Sequence, residues 1–305
     1  MMGFVSDEAS RQHDVVDGGL IAAGGYSAAP GRAMQRFFSQ HPWTLTALIL
    51  IGGALLYAQT ISFGLVAVDD PWLLGSNTLL QTPSLASLHH VLFDLSAPTR
   101  YRLGAEYLPV RDLSVMLDFA IFGHHYGAHH ASQVFLYLVS GLALIMALRR
   151  WLASPHLAVL TAALWIAHPL HVESVAWLAD RKGILAALFS FGALIAFHRF
   201  ATRGSLRWWF FTTLALVAAL WSKGTAIATP ALLGAFLWFN PRADTTAIPR
   251  RRAWIGLFAT LPVVGVAFIP VWIAGSRLAM ISAQHGGNTF TAGAMMMEVH
   301  ARYLF

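Results

Sequence analysis

The sequence predicts an all-α, polytopic membrane helical bundle, and three observations carry that prediction. Hydrophobic residues make up 57% of the 305 positions and charged residues only 11%, far from the composition of soluble domains. The apolar residues fall in long blocks, several near the roughly 20 residues needed to cross a hydrocarbon layer about 30 Å thick. The basic residues gather in short loops between those blocks, which is how membrane proteins encode their orientation. Water is absent at that depth, so each block must satisfy its own backbone groups as a helix. A soluble core does not fit. Nor does a nucleic-acid partner, because the pI near 10.1 comes from scattered loop arginines rather than a basic face. The absence of cysteine removes disulfides, thiolate-bound zinc and a cysteine nucleophile.

Residues 1–42 lack the layout of a secretory signal and read as a disordered cytoplasmic tail. Seven spans are expected after them: Trp43–Leu65, Ala131–Leu148, His156–Ile166, Val172–Arg199, Trp208–Trp221, Ala226–Phe239 and Ala253–Ile273. A polar segment, residues 66–130, separates the first two and reads as a long extracytoplasmic loop. The third, fifth and sixth blocks are short. Pro169 and the Ser222-Lys223-Gly224 break predict helices that stop below the surface and line a cavity, where protein or water can cover their ends. Residues 276–305 read as the start of a further external loop, interrupted at Phe305. No internal repeat of fixed period is visible.

The arginine-bearing turns (Arg149/Arg150, Arg199/Arg203/Arg207 and Arg242/Arg250/Arg251/Arg252) fall on one side, which the positive-inside bias makes cytoplasmic. The opposite side collects Asp69, Asp70, Glu106, His168, His171, Glu173 and Lys223. Groups able to do chemistry therefore gather away from the cytoplasm.

Each cluster admits two readings. In Asp69-Asp70, repulsion between adjacent carboxylates could raise one pKa toward that of a general base; alternatively Asp70 caps a helix that starts at Pro71. His168-Pro169-Leu170-His171-Val172-Glu173 could hold a phosphate, a hydroxyl or a metal, or could simply cap the next helix. A divalent metal gains little support, because the proline spoils the helical i, i+4 spacing of a paired-histidine site. Asp180-Arg181-Lys182 is costly inside a span unless the three face a cavity or pair together. Arg181 and Lys182 could grip a lipid phosphate. Lys223 is either a second phosphate contact or a snorkelling side chain. His124-His125 and His129-His130 read as solvated or interfacial, the tryptophans at span ends as interfacial anchors, and Met295-Met296-Met297 as an apolar contact surface.

Taken in order, these segments resemble the membrane part of the transmembrane-and-tetratricopeptide-repeat O-mannosyltransferases and their bacterial relatives, members of the GT-C glycosyltransferases. The resemblance runs from about Phe63 to Phe239. It rests on Val68-Asp69-Asp70 with Leu74 and Asn77, on Tyr107-Leu108-Pro109-Val110, and above all on His168-Pro169-Leu170-His171-Val172-Glu173-Ser174-Val175-Ala176-Trp177 running into Asp180-Arg181-Lys182. Ser222-Lys223 resembles the family's Ser-Lys-Glu.

The resemblance implies transfer of a sugar, often mannose, from a polyprenyl-phosphate donor in the membrane to a hydroxyl, usually protein Ser or Thr, outside a bacterial inner membrane. It makes Asp69 or Asp70 the base, sets Arg181, Lys182 and Lys223 on the leaving phosphate, and places His168, His171 and Glu173 in the acceptor or sugar pocket. Tyr107 and Arg111 are further substrate-binding candidates. Leu108 stands where the family has arginine, and Gly224 where it has glutamate. The family's later spans and C-terminal helical repeats are expected to be missing, so either a truncated gene product or a fragment is expected. A non-catalytic relative that binds lipid or a partner is the competing reading. A transporter would show repeated halves with paired broken helices, which the sequence lacks.

Overall fold

The structure is a computed structural model, and it describes residues 42–66, 69–152, 154–239 and 248–277. The expected tail up to His41, Arg242, Met295-Met296-Met297 and nearly all of the expected final loop lie outside the described residues. Within them every regular element is helical and no strand occurs.

Among the described residues four stretches are long and apolar enough to cross a membrane: Trp43–Ser62, Tyr126–Trp151, Leu178–Arg203 and Arg250–Ser276. At 1.5 Å per residue the shortest, with 20 residues, reaches about 30 Å. Pro155–Ile166, Leu206–Leu220 and Gly224–Trp238 are apolar helices of about 18–23 Å at the same rise. Among the described residues, four of the seven expected spans are thus helices of full length, and the third, fifth and sixth are the three shorter ones.

Helix α1 (Pro42–Tyr57) continues as a 3-10 turn, Ala58–Ser62. The segment expected to connect the first two spans is largely helical. A π-helical turn at Pro71–Gly75 leads to α2 (Thr78–Gln81), α3 (Leu85–Phe93), α4 (Ala97–Arg102) and α5 (Pro109–Phe122). Local chemistry explains the starts. Asn77 accepts the Leu79 amide, Ser84 accepts the Ser87 amide, and Pro71 and Pro109 occupy first helical positions, where proline's missing N–H costs nothing. These short helices share a core of their own, with Leu73, Leu80, Val91, Val115 and Phe119 packed together. In α4 and α5 charged residues interrupt that apolar periodicity.

The bundle follows: α6 (Tyr126–Trp151), α7 (Pro155–Ile166), α8 (His171–Ala176), α9 (Arg181–Arg203), α10 (Leu206–Leu220), α11 (Thr229–Trp238), α12 (Arg250–Phe258) and α13 (Leu261–Arg277). Short 3-10 turns at Leu178–Asp180 and Gly224–Ala228 lead into α9 and α11. Helices α6 and α9 run side by side in the same direction. Gln133 meets Arg181, Ser140 meets the Ile184 carbonyl, and the Trp151 indole donates to the Leu194 carbonyl. Gly204, in the left-handed region at φ +66°, ends α9 and lets α10 turn back. Trp151, Phe197, Leu216, Leu233 and Leu257 form the common core.

The two ends differ in chemistry. At one, Arg149 lies over Trp43, Arg199 and Arg207 over Trp208, and Arg250 over Trp238, a ring of cation–π pairs. Large apolar side chains stand exposed along the outer helix faces, among them Leu55, Leu164, Phe210 and Val266. The other end carries the π-turn, α8 and the start of α9, and with them Asp69, Asp70, His171, Glu173, Asp180, Arg181 and Lys182.

Candidate functional site

Asp70 organises this end. It is fully buried, with Oδ2 accepting the Val66 amide at 3.0 Å and Oδ1 the Ala179 amide at 2.8 Å. It makes no side-chain capping bond to the turn at Pro71; it caps the approach to α9 instead. Burial pushes its carboxyl above the ordinary range, while the amides of Val66, Ala179 and Leu178 pull it back. Asp69 beside it is half-buried, and its carboxylate has no hydrogen-bond or ionic partner among the described residues. The acidic pair thus divides into a committed member and an available one.

The Asp180-Arg181-Lys182 run sends its three charges in three directions. Asp180 takes the Ser174 hydroxyl at 2.5 Å and Lys223 Nζ at 3.2 Å. Arg181, 1% exposed, donates to Gln133 Oε1, to Ser114, to the His129 carbonyl and, at 2.5 Å, to Asp118 Oδ2. Its whole fork is occupied by protein acceptors, so lipid phosphate would have to displace them. Lys182 bonds both Glu106 oxygens, at 2.9 and 3.2 Å. Its side chain is 23% exposed, and an ammonium has a third donor.

Glu106 also bonds Arg111 at 3.1 Å, which joins α9 to the helices before the bundle. Arg111 is buried and further held by Asp112 and by the Leu103 carbonyl. Tyr107 is buried too; its hydroxyl donates to the Leu92 carbonyl and its ring lies under Arg100. Both side chains sit inside the α3–α5 core. Only Arg111 reaches the cluster, through Glu106.

His168 and Glu173 are exposed at the α7–α8 turn. His168 Nδ1 accepts the Leu170 amide, capping the turn. His171 points inward, its ring centroid 4.6 Å from that of Trp165; burial, with the nearby His168, lowers its pKa. The six-residue run therefore splits, and one histidine reaches the interior.

That interior is a cavity of about 290 Å³ between α6, α7, α8, α9 and the Gly224–Ala228 turn. Tyr137, Trp165 and His171 wall one part of it; Ser174, Gly183 and Lys223 another. The breaks at Pro169 and at Ser222-Lys223-Gly224 open this space, because α7 and α10 end short and leave it uncovered. Among the described residues no group of three His, Cys, Asp or Glu side chains could hold a metal ion.

Reading the residues one cluster at a time missed the partners of the charges. Asp118, Gln133 and Ser174 satisfy Arg181 and Asp180. His129 and His130, expected to be solvated or interfacial, are fully buried and bond the carbonyls of Gly123 and Gly64. The missed signal is helical spacing: His129, Gln133, Tyr137 and Ser140 recur every three or four positions and form one buried polar stripe on α6.

No family model, curated protein or solved structure matches the chain. The class that stands on the structure alone is a protein all-helical over its described residues, where four long apolar helices are compatible with a membrane. Its polar groups meet at one end of the bundle.

Proposed function

We propose that this chain is a membrane glycosyltransferase of GT-C type, moving a sugar from a polyprenyl phosphate to a hydroxyl acceptor, with protein Ser or Thr the favoured class. The observation that carries this reading is the split of the acidic pair: Asp70, bonded to the amides of Val66 and Ala179, fixes Asp69 beside the start of α9 with an unpaired carboxylate. Asp69 takes the proton from the acceptor hydroxyl. The acceptor oxygen then bonds the anomeric carbon, and the bond from that carbon to the lipid phosphate oxygen breaks, releasing the lipid phosphate as an anion. Lys182, with a donor to spare beyond Glu106, faces the developing charge. Electrostatic help of this kind dominates when the leaving group is anionic.

The ring of arginine–tryptophan pairs at the opposite end supports a cytoplasmic placement for that end. The acidic end, and with it the reaction, then lies outside the cytoplasm. The four long helices support an integral membrane location, and a bacterial inner membrane suits a lipid-linked donor. The full occupancy of the Arg181 fork favours a second reading, a non-catalytic relative that binds lipid or a partner. Transfer measured from several radiolabelled polyprenyl-phosphate sugars in membranes holding the folded chain separates the two. Labelled acceptor supports the transferase; none with any donor, while lipid still binds, supports the binding protein.

A further inference from the structure

We propose that the arginine-rich end of the bundle carries a site for one anionic phospholipid, seated in the groove between the α9–α10 turn and α12. The proposal rests on the membrane location of the chain and not on the transferase reading.

Charge calls for an anion at this end. Arg199, Arg203 and Arg207 flank the α9–α10 turn, and α12 opens on Arg250-Arg251-Arg252. All described aspartates and glutamates fall at positions 69–118, 173 and 180, so none balances these arginines. Arg199 and Arg207 lie over Trp208, and Arg250 lies over Trp238 and donates to the last carbonyls of α11. The side chains of Arg203, Arg251 and Arg252 are exposed, and they have no hydrogen-bond, ionic or ring partner among the described residues. Three arginines share the first turn of α12 with no acidic residue beside them, where the helix dipole adds about half a positive charge. An anion relieves that repulsion, and the free amides of a first turn favour it too.

Shape selects the kind of anion. From Arg252 runs a groove of about 310 Å³ whose other walls are apolar, with Phe200, Leu206 and Trp209 on one side and Ile255 and Ala259 on the other. Between Arg252 and Ala259, α12 advances about 10 Å away from the end of the bundle. The walls are fixed to each other. The Trp209 indole donates to the Gly256 carbonyl at 2.9 Å, and a Cβ at Gly256 would lie 2.3 Å from the Phe200 ring, so α9, α10 and α12 meet at the floor. Leu206 and Ile255 stand exposed at the rim. A cation at one end of an apolar slot matches an amphiphile with an anionic head. The guanidinium takes the phosphate, and an acyl chain covers the apolar walls. Free phosphate would leave those walls bare, and a zwitterionic phospholipid would bring its own cation to a surface already crowded with arginines.

Native mass spectrometry of the full chain in detergent, titrated with phosphatidylglycerol, phosphatidylcholine or inorganic phosphate, tests this. One phosphatidylglycerol is expected to bind about tenfold more tightly than phosphatidylcholine, and phosphate in excess is expected not to displace it. Arg252→Gln should weaken phosphatidylglycerol about fivefold, the worth of one arginine at an anionic lipid. Ala259→Phe fills the groove from an exposed position without removing charge, and should weaken binding to a similar degree. Arg251→Gln removes the same charge one residue away, outside the groove, and should change binding by less than about twofold. Equal binding of the two lipids, displacement by phosphate, or equal losses in Arg251→Gln and Arg252→Gln overturn the proposal. So does unchanged binding in Ala259→Phe. A chain without any transfer activity is still expected to bind this lipid, so failure of the transferase reading leaves the site standing.

Discussion

Asp70 and Ala179 stand 109 positions apart in sequence, yet the carboxylate of one accepts the amide of the other at 2.8 Å. This bond fastens the π-turn after α1 to the approach to α9, and it separates the roles of two adjacent aspartates. Asp70→Asn keeps the shape but cannot accept from both the Val66 and Ala179 amides. One buried amide loses its partner, at a cost of about 1–3 kcal/mol. Thermal unfolding in detergent should show a clear drop in midpoint for Asp70→Asn and a change within about 0.5 kcal/mol for Asp69→Asn.

The same carboxyl gives a pH signature. Burial raises the Asp70 pKa in the folded chain above its value of 3.8 when free. The folded state therefore binds its proton more tightly than the unfolded state. The stability this group contributes is fully present below pH 3.8 and declines as pH rises through the folded pKa. Asp70→Asn should lack that decline. Unfolding midpoints compared between wild type and variant from about pH 4 to pH 7 should converge as pH rises, and parallel curves would contradict the assignment.

Arg181 is expected to be structural first. Removing one member of a buried pair leaves an uncompensated charge and costs about 3–5 kcal/mol, so Arg181→Met should lose most of the folded protein. Arg181→Met combined with Asp118→Leu removes both charges and should recover a large part of it. The measurement is the monodisperse fraction after size-exclusion chromatography of the three proteins.

Orientation can be read without background, because the chain contains no cysteine. A cysteine placed at Leu170, which is 78% exposed at the α7–α8 turn, should react with a membrane-impermeant maleimide from outside intact cells. One at Ser205, between α9 and α10, should react only after the membrane is opened. The reverse pattern would place the acidic end in the cytoplasm and contradict the proposed topology.

Helix type and the two-ended charge distribution were legible in the sequence because both are local or compositional. Pro169 and the Ser222-Lys223-Gly224 break pointed to a cavity for a local reason, namely helices that end short. What stayed hidden was pairing. Nothing near Arg181 in sequence announces Asp118, and nothing near Asp180 announces Lys223 in the break after α10. Taken alone, Asp180-Arg181-Lys182 suggests a grip on phosphate or an internal pairing, whereas its charges are balanced across α5, α9 and the turn before α11. The α2–α5 region was hard to read for a different reason: its helices are short, and in α4 and α5 charges interrupt the apolar stripe, so no window looked like a span. Asp69 and Asp70 were indistinguishable by type, and only the two amides that reach Asp70 separate them.

The central claim is that Asp69 is the base and Asp70 its anchor. The most direct test is transfer of radiolabelled sugar from a polyprenyl-phosphate donor in membranes, measured for wild type, Asp69→Asn and Asp70→Asn at matched amounts of folded protein. Loss of a positioned general base should slow transfer by about 10²–10⁴-fold in Asp69→Asn, with Asp70→Asn retaining measurable activity once corrected for stability. Full activity in Asp69→Asn would contradict the account.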